Sequence, residues 1–230
     1  MNFDLKRDAF ARTLITAHRG VWGGNIPCNT LDAFEVALAQ GADMIELDVA
    51  HSADGELFVF HPGMEKAHLG SERAIADMRA EEVRKLHFHN YDQTLTQARI
   101  NTFDEALEAL KGRCYINVDK FWENIEPVTK AIRRHGMENQ ILVKTGPKED
   151  VFRRIAEVAP DIAYMLILRD RDEYSERMLS MPLNYVGAEI LFTSEDAPIA
   201  SREYVETMRM WYEEGLYDPE YLTRSSASIQ

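Results

Sequence analysis

Asp43-Met44-Ile45-Glu46-Leu47-Asp48-Val49-Ala50, continued through His51-Ser52-Ala53-Asp54-Gly55-Glu56 to Leu57-Phe58-Val59-Phe60-His61-Pro62-Gly63, sets Glu46, Asp48 and His61 where a buried strand tolerates few ionisable groups. The first half alternates with period two. Ile45, Leu47 and Val49 point to one side of a strand, and Met44, Glu46, Asp48 and Ala50 to the other. Two carboxylates therefore share a face. With no cation between them they repel, and at least one tends to take up a proton unless a metal or a basic group compensates the charge. A divalent cation is the simplest remedy; a structural ion-pair site is the plainer alternative. After the Asp54-Gly55 turn signal, Leu57 to Phe60 reads as a second strand with His61 at its C-terminal end. The connection is too short for a helix, so it is either a hairpin or a short extended crossover.

Upstream, residues 14–17 form a short apolar strand running into His18-Arg19-Gly20, followed by a loop with Trp22, Gly23 and Gly24. Asn29 is expected to cap a helix whose apolar stripe is Leu31, Phe34, Ala37 and Leu38 and which Gly41 stops. Strand, loop, helix and strand make a βαβ unit. Downstream, residues 64–99 read as a polar excursion with one helical piece near 80–86. Thr102-Phe103-Asp104-Glu105 is a capping-box signature for the next helix. The βα rhythm then returns. Strands are expected at 114–118, ending in Asp119-Lys120, at 140–143, ending in Lys144, at 163–168 and at 186–192, with helices around 125–135 and 151–158.

Strands that alternate with helices and end in polar residues predict an α/β fold, a TIM-type (β/α) barrel whose working face is the C-terminal ends of its strands. The seven candidate strands leave it one short of eight, so the barrel is expected to be incomplete at the C-terminus. Residues 1–200 are assigned to the barrel, with 64–100 as an insertion, and 201–230 to an atypical C-terminal helix and Ser-rich tail. An incomplete barrel would expose apolar edges, which makes an oligomer one expectation.

Composition bounds the function. At 230 residues, 45% hydrophobic and 10% aromatic, the chain is expected to be one globular domain. Its net charge of −13 argues against nucleic acid as a partner, and no apolar run reaches the length of a membrane span. The charged N-terminus has no signal-peptide pattern, so the expected location is cytoplasmic. Cys28 and Cys114 have no metal-type spacing and read as free thiols.

The strand ends thus offer His18, Arg19, Glu46, Asp48, His61, Asp119, Lys120 and Lys144. Carboxylates are hard ligands that suit Mg²⁺ or Ca²⁺, two histidines can serve as general acid and base, and arginine and lysine suit a phosphate. Asp119-Lys120 reads equally well as part of a site or as a solvated pair. His51, His68, His87, His89 and His135 read as surface residues, and Met208, Met210 and Trp211 as helix packing.

The whole pattern is identified as resembling one family. His18-Arg19-Gly20, Asn29-Thr30 with Ala33-Phe34, Gly41-Ala42-Asp43 leading to Glu46-Leu47-Asp48-Val49, Asp54-Gly55, His61, Thr102 to Glu105 and Asn117-Val118-Asp119-Lys120 resemble the glycerophosphodiester phosphodiesterases. The resemblance implies a TIM-type barrel that hydrolyses glycerophosphodiesters to glycerol 3-phosphate and an alcohol with a divalent cation, its partner being a small-molecule phosphodiester. It implies Glu46, Asp48 and Asp119 as metal ligands and His18 and His61 as the acid/base pair. Arg19 and Lys120 match positions that hold the phosphate, while Lys144, at a strand end, and Asn117, on the same strand face as Asp119, are read from their own placement as further substrate-binding candidates. Three departures stand out: Cys28 where the family usually has Glu, Pro62 where it usually has Asp, and adjacent Asp119-Lys120 in place of Glu-x-Lys. Weakened metal affinity is the expected consequence. The family's closing strands are not found. Residues 204–223 instead resemble a segment of extracellular carbohydrate-binding proteins of transport systems, which suggests a truncated or fused product. The alternative reading is accordingly an inactive barrel remnant that at most binds a phosphorylated ligand, and a weaker one is a solute-binding module.

Overall fold

A computed structural model describes residues 3–90, 92–146, 148–169 and 183–191, and the chain divides after Lys144 into two compact units. The first opens with α1 (Leu5–Ala11), capped by the Asp4 side chain, which accepts from the Arg7 N–H at 3.1 Å. α1 buries none of its residues. β1 (Thr16–His18) follows, then α2 (Leu31–Ala39) and β2 (Met44–His51). The N-cap of α2 is Thr30, whose Oγ1 accepts from Ala33 N at 3.2 Å. This corrects the expected Asn29 cap: Asn29 lies one residue earlier with φ 58, and its side chain is committed elsewhere.

The link from β2 to β3 (Leu57–Val59) is a hairpin, with Val49 opposite Val59 and His51 opposite Leu57. Ser52 organises the turn: its hydroxyl donates to Asp54 Oδ1 at 2.8 Å and accepts from Glu56 N at 3.0 Å. The strand expected at 57–60 is therefore an antiparallel arm, not a stave of the parallel barrel. Its pairing carries on past β3, where Phe60 N donates to Asp48 O at 3.0 Å, and so delivers His61 to the end of β2.

The excursion that follows has a core of its own. α3 (Glu65–Leu69), α4 (Ala80–Val83) and the hairpin of β4 (His87–His89) with β5 (Leu95–Arg99) bury Leu69, Ile75, Met78, Val83 and Phe88 against Phe58 and Phe60 of the β3 arm. Burying each such phenylalanine contributes about 1.5–3 kcal/mol. α5 (Phe103–Leu110) then starts on the expected capping box, with Thr102 Oγ1 accepting from Glu105 N at 3.2 Å and Glu105 Oε2 from Thr102 N at 2.7 Å.

β6 (Tyr115–Asp119), α6 (Ile125–His135) and β7 (Ile141–Thr145) complete the parallel part of this unit. β2 runs parallel to β1 on one side and β6 on the other, and β6 is parallel to β7. Seven of the eight residues of β2 are buried, because both faces of a parallel βαβ layer are covered.

In the second unit, α7 (Glu149–Val158) packs Phe152 edge-on to Tyr164 of β8 (Ala163–Leu168), with centroids 5.4 Å apart. β8 pairs in parallel with β9 (Tyr185–Ile190), and Tyr164 meets Tyr185 at 5.3 Å. Among the described residues no helix is long and apolar enough to cross a membrane, and both cysteines are free and buried. Phe192 at the end of the last expected strand, the C-terminal helix with Met208, Met210 and Trp211, and the 204–223 segment lie outside the described residues.

Candidate active site

Strand register assembles the polar residues. His18 of β1 is level with Glu46 of β2, which is level with Asn117 of β6, and one pleat further on Asp48 is level with Asp119. Period-two alternation then turns Glu46 and Asp48, and Asn117 and Asp119, to a common face at the strands' C-terminal ends. Glu46, Asp48 and Asp119 each offer an oxygen within 4.8 Å of the other two. Glu46 and Asp48 are 3% and 0% exposed. Asp48 Oδ1 and Asn117 Oδ1 are buried with no hydrogen-bond partner, and Glu46 Oε1, equally buried, has only the Lys144 ammonium at 3.4 Å, a costly state for buried polar oxygens. Converging hard oxygen donors, two of them orphaned, fit a Mg²⁺ or Ca²⁺ ion. Without one, burial pushes the Glu46 carboxyl up to about 7, with Asp48 and Asp119 adding to the rise and Lys144 opposing it.

Basic groups surround the cluster. Lys144 Nζ lies 3.4 Å from Glu46 Oε1 and 3.9 Å from Asp119 Oδ2. Lys120 Nζ is 3.9 Å from Asp119 Oδ2 and 5.0 Å from the Trp122 ring centroid. Arg19 Nε pairs with Asp48 Oδ2 at 2.8 Å, and Arg19 N donates to Glu46 O at 2.9 Å. Arg19, Asn29 and Lys120 all hold a left-handed backbone, with φ 58, 58 and 59. Such conformations are costly outside glycine and persist only where surrounding structure enforces them, which marks this corner as strained.

The two histidines flank the carboxylates differently. His18 Nε2 stands 3.8 Å from Glu46 Oε2 with 68% of its side chain exposed, and desolvation at the pocket wall, then the Arg19 charge, holds its pKa below the ordinary value. His61 Nε2 stands 3.9 Å from Asp48 Oδ1, and its side chain is 24% exposed. His61 Nδ1 is 2.8 Å from Pro62 O. A carbonyl only accepts, so Nδ1 carries the proton, and in the neutral ring Nε2 keeps its lone pair toward Asp48.

Every expected site residue is thus found in one corner, including Asn117, which is 5% exposed. Asn29, whose part in the site the sequence reading misses, belongs there too: its Nδ2 donates to Asp48 Oδ2 at 2.8 Å, and its N–H donates to Arg19 O at 3.0 Å. The local sequence offered only a capping signal for it. Beside the cluster a cavity of about 400 Å³ opens, bordered by His18 and Arg19 and walled by the Trp22 loop and the excursion. Two of the histidines expected at the surface, His68 and His89, line it, and Cys28 Sγ is 3.9 Å from His68 Nδ1. All five histidines of that group are in fact half-buried; His87 meets Thr96 O at 3.1 Å, and His135 meets Asp104 Oδ1 at 2.8 Å.

Comparison with known proteins points the same way. Residues 18–201 match the model of the glycerophosphoryl diester phosphodiesterase family. A glycerophosphodiester phosphodiesterase of Caldanaerobacter subterraneus subsp. tengcongensis is 29% identical over 164 residues, covering 68% of this chain and 67% of its own. The crystal structure of a glycerophosphodiester phosphodiesterase from Agrobacterium tumefaciens superposes with a TM-score of 0.59 at 28% identity, covering 68% of both chains. An Oleispira antarctica phosphodiesterase, solved with the product sn-glycerol-3-phosphate, shares the fold with a TM-score of 0.64 over 94% of this chain and 97% of that one, at 17% identity.

Proposed function

This chain belongs to the glycerophosphoryl diester phosphodiesterase family, and we propose that it hydrolyses glycerophosphodiesters to glycerol 3-phosphate and an alcohol. The observation that carries the reading is the cluster of Glu46, Asp48 and Asp119 flanked by two histidines, each within 4 Å of a different carboxylate.

Glu46, Asp48 and Asp119 would hold a divalent cation, Mg²⁺ or Ca²⁺, with Asn117 as an additional contact. When bound, it would supply charge neutralisation for the phosphoryl oxygens. Arg19, Lys120 and Lys144 position the diester by charge, Arg19 from a guanidinium already braced on Asp48. His61, with its Nε2 lone pair available, takes the proton of the glycerol 2-hydroxyl as that oxygen attacks phosphorus. The bond from phosphorus to the leaving alcohol breaks, and His18, at the rim of the cavity, gives that alcohol its proton. A cyclic phosphate results. Water then opens it, giving its proton to His18 while His61 returns one to the 2-oxygen, so both histidines end as they began.

The test is release of glycerol 3-phosphate from glycerophosphodiesters by the purified chain with Mg²⁺, with Ca²⁺ and with chelator. Turnover that disappears in chelator is the expected result; folded, cation-binding protein with no turnover would overturn the reading.

A further inference from the structure

The cavity beside the cluster has a property that hydrolysis alone does not require. It is bordered by His18 and Arg19, its wall carries Trp22, Ile26, Met64 and Phe88, and none of the fifteen described residues that line it is acidic. In a chain with 39 acidic residues among 230, a wall free of carboxylates is a local reversal of the overall charge. The fixed charge on the wall is the Arg19 guanidinium. Hydrogen bonds tie its two sides together: Asn90 Nδ2 donates to Asn25 Oδ1 at 2.9 Å, and Gln93 Nε2 to Ala67 O at 3.5 Å. The walls are therefore held before any ligand enters.

We propose that this cavity receives the alcohol that leaves phosphorus and selects a neutral polyhydroxylated alcohol over a cationic amino-alcohol. The proposal rests on the hydrolysis reading above and specifies its substrate class. Apolar and aromatic walls with a few amide groups suit the mixed C–H and hydroxyl surface of a polyol. Trp22 is 54% exposed and offers a ring face, while the Asn90 and Gln93 amides and the loop peptides offer hydrogen bonds. A leaving ammonium would instead meet no carboxylate among the described lining residues and would approach the Arg19 guanidinium, whose partner Asp48 is fully buried behind it and already engaged. Aromatic faces can hold a quaternary ammonium, but that takes open rings. Phe88 is 1% exposed, so its faces are already covered by the excursion core, and among the described lining residues Trp22 is the only other phenylalanine, tyrosine or tryptophan.

The experiment compares kcat/KM of the full chain with Mg²⁺ on glycerophosphoglycerol and glycerophosphoinositol against glycerophosphocholine and glycerophosphoethanolamine. The neutral pair is expected to exceed the cationic pair at least about tenfold. Gln93→Glu, which adds one carboxylate to the wall at constant size, is expected to narrow that ratio several-fold by lowering KM for the choline diester. Trp22→Ala is expected to raise KM for the inositol diester more than it changes kcat. Equal or faster turnover of the cationic diesters overturns the selection and leaves the hydrolysis standing. An unchanged ratio in Gln93→Glu overturns the cavity as the place of selection. No release from any of the four diesters by folded protein overturns the hydrolysis reading and this inference with it.

Discussion

Asn29 grips Asp48 at two points: its Nδ2 donates to Asp48 Oδ2 at 2.8 Å, and its Oδ1 accepts from the Asp48 backbone N–H at 3.3 Å. With Oδ2 fixed by Asn29 and Arg19, the other oxygen, Oδ1, is left buried and unpaired on the side of His61. The carboxylate is thus oriented by the protein alone.

Asn29→Ala should therefore weaken Mg²⁺ binding about 10–100-fold, the usual loss when a group that orients a ligand is removed. It should also cost stability, because alanine tolerates φ 58 poorly where asparagine is tolerated better. Asn29→Gly separates the effects: it relieves the backbone but not the lost clamp, so affinity should fall as far with a smaller drop in Tm. Calorimetric titration and thermal melts of the two variants check this.

The raised pKa of Glu46 predicts how stability depends on pH in the absence of metal. The folded state keeps a proton up to about 7 that the unfolded chain releases near 4.5. Protons are then bound more by the folded than by the unfolded state, so stability falls as pH rises from about 4.5 to about 7, by roughly 3 kcal/mol at most for this one group. In chelator, Tm should decline across that window, and Glu46→Gln should flatten the decline. Saturating Mg²⁺ should recover the loss and, added near pH 6, release close to one proton in a weakly buffered titration.

How much of this was legible in the sequence depends on range. The alternation of Met44 to Ala50 and the capping box at Thr102 are local patterns, and both are realised in place. Asn29 is the instructive miss. A capping asparagine and one that orients a carboxylate look alike within four residues; what separates them is a left-handed backbone and a partner nineteen positions away. α1 escaped because it buries no residue and so leaves no apolar period. The excursion looked merely polar because Ile75, Met78, Val83 and Phe88 are too widely spaced to form one periodic run, although they meet in one core. Likewise, five residues between two strands allow a hairpin or a crossover, and only pairing across the turn decides.

Gly20 should be among the least replaceable residues outside the cluster. Its φ is +79, and a Cβ there would lie 2.7 Å from the backbone C and O of Ala33 and 2.8 Å from the Ala33 Cβ. Those atoms belong to a buried turn of α2 and cannot yield like a flexible side chain. Gly20→Ala should cost about 2–4 kcal/mol, from strain plus overpacking, and should shift Arg19 away from Asp48. The readout is urea unfolding together with Mg²⁺ affinity; an unchanged midpoint would refute the close approach.

The histidines and the carboxylates should separate chemistry from cation binding. His61 Nε2 is 3.9 Å from Asp48 Oδ1, beyond hydrogen-bond reach, so His61→Ala removes the proposed base without disturbing how Asp48 is held by Asn29 and Arg19. Its kcat should drop about 10²–10⁴-fold, with Mg²⁺ affinity within about threefold of the parent. His18→Ala should behave alike on an unactivated diester. It should lose far less on a substrate whose leaving group is a nitrophenol, because such a group departs without being protonated, and His61→Ala should show no such rescue. Asp48→Asn keeps the shape of the side chain but removes its charge, so it should remain folded, lose Mg²⁺ binding and lose metal-dependent turnover. Full activity of Asp48→Asn with the parent's metal dependence would mean that the cation is held elsewhere, and the assignment of His61 as base, which depends on its place beside Asp48, would go with it.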